Sequence, residues 1–354
     1  MKICEIAGNA SVKSALMRLV ERSKIPPAML FSGPRGVGKF TLAMAFVQAA
    51  NCQARQADSC GECSSCRTLE GAPPLAELAA KARMSRGRSD PEEIPLIVQP
   101  HPDVWVLLPD PNFIRAAQMR EVRRTAYFRP SVGGRRFFIF DEAEKLRRDY
   151  SDLLLKVLEE PPESATLILV TTRPNKLPDT VRSRCVGFRL SPLRSEEIQD
   201  YLARNTKRKA ADREILAHLS AGSLGTALTL DLEESRRLRR QLFGYLQLAL
   251  ERGPYSSLFE ITDNLLKGEQ EPFENLLGML YSLVNDLLHL KLGRSEACLR
   301  NLDLGAELER FAAKIDLAWI ERAVKRLDEI DRWLRRNVNR RLALEAASTT
   351  LAGR

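Results

Sequence analysis

Gly33-Pro34-Arg35-Gly36-Val37-Gly38-Lys39 follows a short apolar run and opens a helical pattern, the setting in which a glycine-rich turn can cradle phosphate. Glycines let backbone N–H groups turn inward, the helix start adds partial positive charge, and a lysine at this position reaches β- and γ-phosphates. Gly33, Gly36, Gly38 and Lys39 are therefore expected to hold a nucleotide such as ATP. The full pattern places Ser or Thr directly after the lysine to hold Mg²⁺. Phe40 stands there and offers no ligand atom. Thr41 supplies a hydroxyl one position late, turned about 100° around the helix, and is the remaining side-chain oxygen for the site. The spacing argues for nucleotide binding and against Mg²⁺-dependent hydrolysis.

About a hundred residues downstream, Phe137-Phe138-Ile139-Phe140 reads as a buried strand ending in Asp141-Glu142. In a phosphate-loop enzyme the first acid supports Mg²⁺ and the second polarises the attacking water. Two acids after a strand are a weak signal alone, because Asp and Glu also favour helix starts. The glycine-rich loop upstream gives them weight. A third set is Cys52, Cys60, Cys63 and Cys66, with a tight turn expected at Gly61. Four thiolates at such spacing make a closed tetrahedral Zn²⁺ site with no open position for a substrate water, so the zinc is expected to be structural. A redox role is disfavoured, since a redox Cys-x-x-Cys motif comes singly on a thioredoxin-like pattern absent here. His101 and His218 are not needed as ligands.

These residues need a scaffold, and the composition permits one. The chain has 354 residues, 44% hydrophobic and 29% charged, enough for two or three domains with substantial cores. Wholesale disorder, collagen and a membrane bundle are excluded by that balance. Lys and Arg number 55 against 46 Asp and Glu, a net charge of +9 that permits contact with nucleic acid without proving it. No apolar run reaches about 18 residues and the first residues carry no apolar signal core, so a cytoplasmic chain without membrane insertion is expected. Up to Leu190, apolar runs at 28–31, 104–108, 137–140 and 166–170 alternate with helical patterns at 41–50, 114–128 and 151–159, predicting a parallel sheet flanked by helices. From Ser195 to Leu230 the pattern reads as two or three short helices around Gly222 and Gly225, and beyond Leu232 it is almost wholly helical. The segment Gly71 to Pro100 reads as a surface insertion or mobile loop.

Taken together, these motifs resemble the clamp-loader branch of the AAA+ ATPases, and within it the delta-prime type of subunit of bacterial DNA polymerase III. The resemblance also rests on His101-Pro102-Asp103, Asp141-Glu142-Ala143-Glu144-Lys145-Leu146, Leu154 to Pro162, Thr171 to Pro178 and Ser183-Arg184-Cys185, in the family's order over roughly residues 1 to 230. It implies an α/β plus all-α architecture: an AAA+ phosphate-loop domain with a zinc module at 52–66 (residues 1–192), a small helical lid (193–230) and a helical collar for oligomerisation (231–354). Thr171 and Thr172 match the sensor 1 position beside the γ-phosphate. Arg184 matches the arginine finger that reaches a neighbouring subunit's ATP. Gly222 to Leu228 matches the sensor 2 segment, with Gly225 where active members carry arginine. Groups that would act on this chain's own nucleotide are thus altered, while the one acting on a neighbour is kept. The implied role is a non-motor subunit partnered by gamma/tau and delta subunits in a hetero-pentamer, meeting the sliding clamp and primer-template DNA through the complex. The alternative is an active gamma/tau-like motor that uses Lys39, Asp141 and Glu142.

Overall fold

A computed structural model describes residues 1–54, 56–86, 94–251, 255–266, 273–295 and 298–334, with 341, 342, 344 and 346. Two compact units are formed, one of residues 1–197 with Ser223–Gly225, the other of Ile198–Gly222 and the residues from Thr226 onward.

The first unit is built on a six-stranded sheet of β1 (Ala28–Ser32), β2 (Ile97–His101), β3 (Val104–Leu107), β4 (Arg136–Phe140), β5 (Ala165–Thr171) and β6 (Val186–Arg189). Their order is β2-β3-β4-β5-β1-β6. All neighbours are parallel except β2 and β3, which pair antiparallel. The central strands β4 and β5 are buried at every position and mostly apolar because helices cover both faces. Alternation along β4 sends Phe137 and Ile139 into one layer and Phe138 and Phe140 into the other. Against the first layer lie α1 (Ala10–Glu21) and α2 (Lys39–Ala50), through Leu16, Leu42 and Phe46; against the second lie α5 (Ala116–Thr125), α6 (Arg148–Glu159) and the short α7 (Asp179–Arg182), through Val122, Leu154, Val157 and Val181.

The segment read from sequence as a surface insertion is, where described, mostly ordered structure. It contains α3's sequel α4 (Leu75–Arg86), after α3 (Ser64–Glu70), and most of β2. Ala79 and Val98 are core residues. The Ala-rich α4 carries a weak apolar stripe, and β2 is a short edge strand interrupted by Gln99 and Pro100, so neither leaves a periodic signal. Residues 87–93 of that segment lie outside the described residues. The edge strand β6 was also hidden, since only Phe188 of Val-Gly-Phe-Arg is buried.

The second unit is helical. It contains most of α8 (Ser195–Asn205), α9 (Ala210–Leu219), most of α10 (Leu224–Thr229), and the longer α11 (Leu232–Leu250), α12 (Tyr255–Leu266), α13 (Phe273–Lys291), α14 (Gly305–Lys314) and α15 (Leu317–Leu334). Leu242, Leu246, Leu280, Leu283, Phe311 and Ile320 share one core. Arg239 is buried there at 1% exposure and makes a two-pronged ion pair with Asp303 at 2.6 and 2.8 Å, so its charge is compensated. No helix among the described residues is long and apolar enough to cross a membrane.

Candidate nucleotide site and zinc centre

Register brings three sequence-distant features to one edge of the sheet. Ser32, which ends β1, pairs with Thr171 at the end of β5, and Phe140, which ends β4, pairs with Leu169. The loop 33–38, Asp141 and the Thr171-Thr172 pair therefore leave adjacent parallel strands at their carboxyl ends, where open α/β sheets bind ligands. Gly33 approaches so closely that a Cβ would lie 2.4 Å from the Leu190 carbonyl oxygen, and Gly36 and Gly38 take φ of +73° and +94°. Lys39, in the first turn of α2, is only 7% exposed, and its Nζ donates to the Pro34 carbonyl at 2.6 Å. Burial pulls the Lys39 pKa down, while the charges of Glu144 and Asp141 oppose that shift. Phe40 packs against the core below the loop, and Thr41 is exposed.

The two acids that follow β4 stand in different surroundings. Burial, followed by the Glu142 charge, raises the Asp141 pKa, and its Oδ1 accepts the Glu142 N–H at 3.0 Å. Glu142 is exposed with φ of +48°, and its carboxylate pairs with Lys145 at 2.5 Å. Glu144, which sequence reasoning assigned no chemistry, meets the threonines. It accepts Thr171 Oγ1 at 2.6 Å, Thr172 Oγ1 at 2.5 Å and the Thr172 N–H at 3.3 Å. Burial alone would raise its pKa, but these donors bring it below the ordinary carboxylate value. Nothing in the local pattern marks it, since Glu142 at the N-cap turns left-handed and separates Asp141 from the 3₁₀ turn Ala143–Lys145.

Arg184 stands elsewhere. It lies beyond the amino end of β6, whose Val186 pairs with Met29 while the carboxyl edge is at Ser32, paired with Arg189. That separation is about 10 Å of strand before Arg184 itself is reached, so its guanidinium is at the sheet edge opposite the phosphate loop. One side of the guanidinium donates to the Thr180 carbonyl at 2.8 Å and the other to Glu159 Oε1 at 2.8 Å, on an exposed surface.

Cys52 follows the C-cap of α2, and Cys60, Cys63 and Cys66 lead into and along α3. The four Sγ atoms all lie within 4.8 Å of one another. A tetrahedral Zn–S₄ centre needs edges of about 3.8 Å, so this donor set fits zinc with small adjustments. Gly61 turns at φ +79°, and the Glu62 and Cys63 N–H groups donate to Cys60 Sγ at 3.4 and 3.3 Å. Those donors draw the Cys60 thiol down to about 6, whereas burial pushes Cys66 up to about 12. Cys4, Cys185 and Cys298 stand apart from this group.

Two protein-family models match the chain: "DNA polymerase III, delta subunit" over residues 8–74 and 93–194, and "DNA polymerase III, delta subunit, C terminal" over 234–350. The chain belongs to the DNA polymerase III clamp-loader subunit family. Among curated relatives, the tau/gamma subunit of Haemophilus influenzae is 31% identical over 202 residues, 56% of this chain and 25% of that protein. The gamma subunit of Buchnera aphidicola subsp. Schizaphis graminum is 31% identical over 242 residues, 67% of this chain and 59% of that protein. The first of these relatives are thus much longer than the stretch they share with it. Among solved structures, a gamma subunit-related protein of Thermotoga maritima aligns over 96% of this chain and 98% of its own, at 15% identity and a TM-score of 0.42.

Two more motif residues of this clamp-loader subunit have structural work that the sequence did not reveal. Asp103 is fully buried, and its carboxylate accepts the N–H groups of Ser131, Val132 and Gly133 at 2.6, 2.8 and 2.7 Å, fixing the loop that leads into β4. His101 accepts the Asp103 N–H at Nδ1, which leaves the ring proton on Nε2 to donate to Ser65 Oγ at 3.2 Å. That bond joins β2 to α3, the helix of the cysteine cluster. The Gly225 N–H donates to the Gly36 carbonyl at 3.0 Å, and a Cβ at Gly225 would meet Gly36 Cα and O at 3.3 Å. The phosphate loop leaves no room for a side chain at that point without yielding.

Proposed function

We propose that this chain is a delta-prime-type, non-motor subunit of the bacterial clamp loader, with a degenerate nucleotide site of its own and Arg184 acting in trans. The observation that carries this reading is an opposition within one sheet: Phe40 fills the Mg²⁺-ligand position at the carboxyl edge, while an exposed Arg184 occupies the other edge. An arginine so far from its own loop has no use there. Presented to a neighbour, it would stabilise charge developing on that subunit's γ-phosphate. Its partners on this reading are gamma/tau and delta subunits in a cytoplasmic complex, which handles the sliding clamp and grips primer-template DNA mainly through phosphates. The helices from α11 onward would form its share of the collar.

The similarity to tau and gamma subunits favours a second reading, in which the chain is itself a motor. Steady-state ATPase of the purified chain separates the two. The non-motor reading expects no turnover above background, unchanged by Lys39→Ala; turnover that Lys39→Ala abolishes would establish the motor. We further assign zinc to Cys52, Cys60, Cys63 and Cys66. Elemental analysis is expected to find about one zinc per chain. Chelation should lower the melting temperature, because the metal ties the end of α2 to α3. A metal-free chain with an unchanged melting temperature would refute the assignment.

A further inference from the structure

Polar groups around the phosphate loop are already engaged by the chain itself. Lys39 donates to the Pro34 carbonyl, and on the acceptor side the Gly36 carbonyl accepts the Gly225 N–H. Both hydroxyls of the Thr171-Thr172 pair, with the Thr172 N–H, converge on the two oxygens of Glu144. A carboxylate with two oxygens held by hydroxyl and amide donors presents the same chemistry as a terminal phosphate: an anion accepting several short hydrogen bonds.

We propose that the Glu144 carboxylate stands in for the terminal phosphate, making Glu144 the residue by which this loop admits a nucleoside diphosphate and disfavours a triphosphate. The inference rests on reading residues 33–39 as a nucleotide loop. A β-phosphate is held by backbone N–H groups of the loop and by the start of α2, which Glu144 does not occupy. A γ-phosphate must take the threonine donors from Glu144 and then face its charge together with that of Asp141. Ordinarily Mg²⁺ screens such a meeting, but Phe40 withholds the ligand that would anchor it. Lys39 is the loop's own cation, and although the charges of Glu144 and Asp141 favour its charged form, burial outweighs them and lowers its pKa. An unscreened like charge at contact distance is worth about ten- to a thousandfold in affinity.

Isothermal titration of the full chain with ADP and with the β,γ-imido analogue of ATP, with and without Mg²⁺, tests this. The wild-type chain should bind ADP at least about tenfold tighter than the triphosphate. Glu144→Ala should abolish the preference by strengthening triphosphate binding, with ADP little changed. Glu144→Gln, which keeps an acceptor for the threonines and so guards against loss of the fold, should narrow it. The inference is overturned if wild type holds the triphosphate as tightly as ADP, if the preference survives in Glu144→Ala, or if neither variant gains triphosphate binding. Lys39→Ala separates the underlying reading: if ADP binding does not depend on Lys39, the loop is not the nucleotide site. Lys39-dependent ADP binding without discrimination sinks the inference alone.

Discussion

Replacing Arg184 with alanine is expected to leave the clamp-loader complex assembled while lowering turnover at the neighbouring ATP site by about 10³-fold or more, the usual worth of an arginine finger. The effect should be confined to chemistry. Arg184 and Glu159 form a solvent-exposed pair, which contributes little to stability, so the variant should fold and melt like wild type. Arg184→Lys should rescue only a small part of the rate, because an ammonium keeps the charge without the planar fork that spans two phosphate oxygens. DNA-stimulated ATPase of the reconstituted complex, read beside its elution position, checks both halves. An unchanged rate in an intact complex would remove Arg184 from the account.

The second large effect is on stability. Asp103→Ala is expected to cost about 3 to 5 kcal/mol, because three backbone N–H groups lose their shared buried acceptor. The loop they belong to enters β4, which delivers Asp141, so the loss should also loosen the site. Burial by itself would raise the Asp103 pKa, but the three donors and the nearby His101 bring it below the ordinary carboxylate value. A carboxyl with a depressed folded-state pKa contributes stability that is complete above its unfolded value of about 3.9. That contribution is lost as pH falls through the lower folded value. The gap in urea midpoint between wild type and Asp103→Asn should therefore be widest near neutrality and shrink below about pH 4. A gap that does not depend on pH would show that the carboxylate's charge is immaterial.

What the sequence disclosed and what it concealed follow from the same physics. Gly33 to Lys39, the Phe137-to-Phe140 strand with Asp141, and the four cysteines were legible because each is a local pattern tied to one chemistry, and the structure keeps those residues together. Arg184 was one arginine among many until family resemblance singled it out; its position opposite the loop emerges only from the pairing of β6 with β1. Glu144 was overlooked because its meaning depends on the β4 and β5 ends lying side by side. The preceding Glu142 drew attention as the second acid, yet its left-handed backbone leaves its carboxylate at the surface, paired with Lys145. His101 and Asp103 were visible only as part of a motif. Their hydrogen bonds to Ser65 and to residues 131–133 cross long sequence distances that no periodicity encodes.

The proposed role divides the labour between a loop that does not drive turnover and an arginine that serves another subunit. DNA-stimulated ATPase of the complex reconstituted with Lys39→Ala in this chain alone measures it most directly, with Arg184→Ala run alongside. The expected result is a wild-type rate for Lys39→Ala and a collapsed rate for Arg184→Ala. A complex that loses its turnover with Lys39→Ala and keeps it with Arg184→Ala would contradict the account.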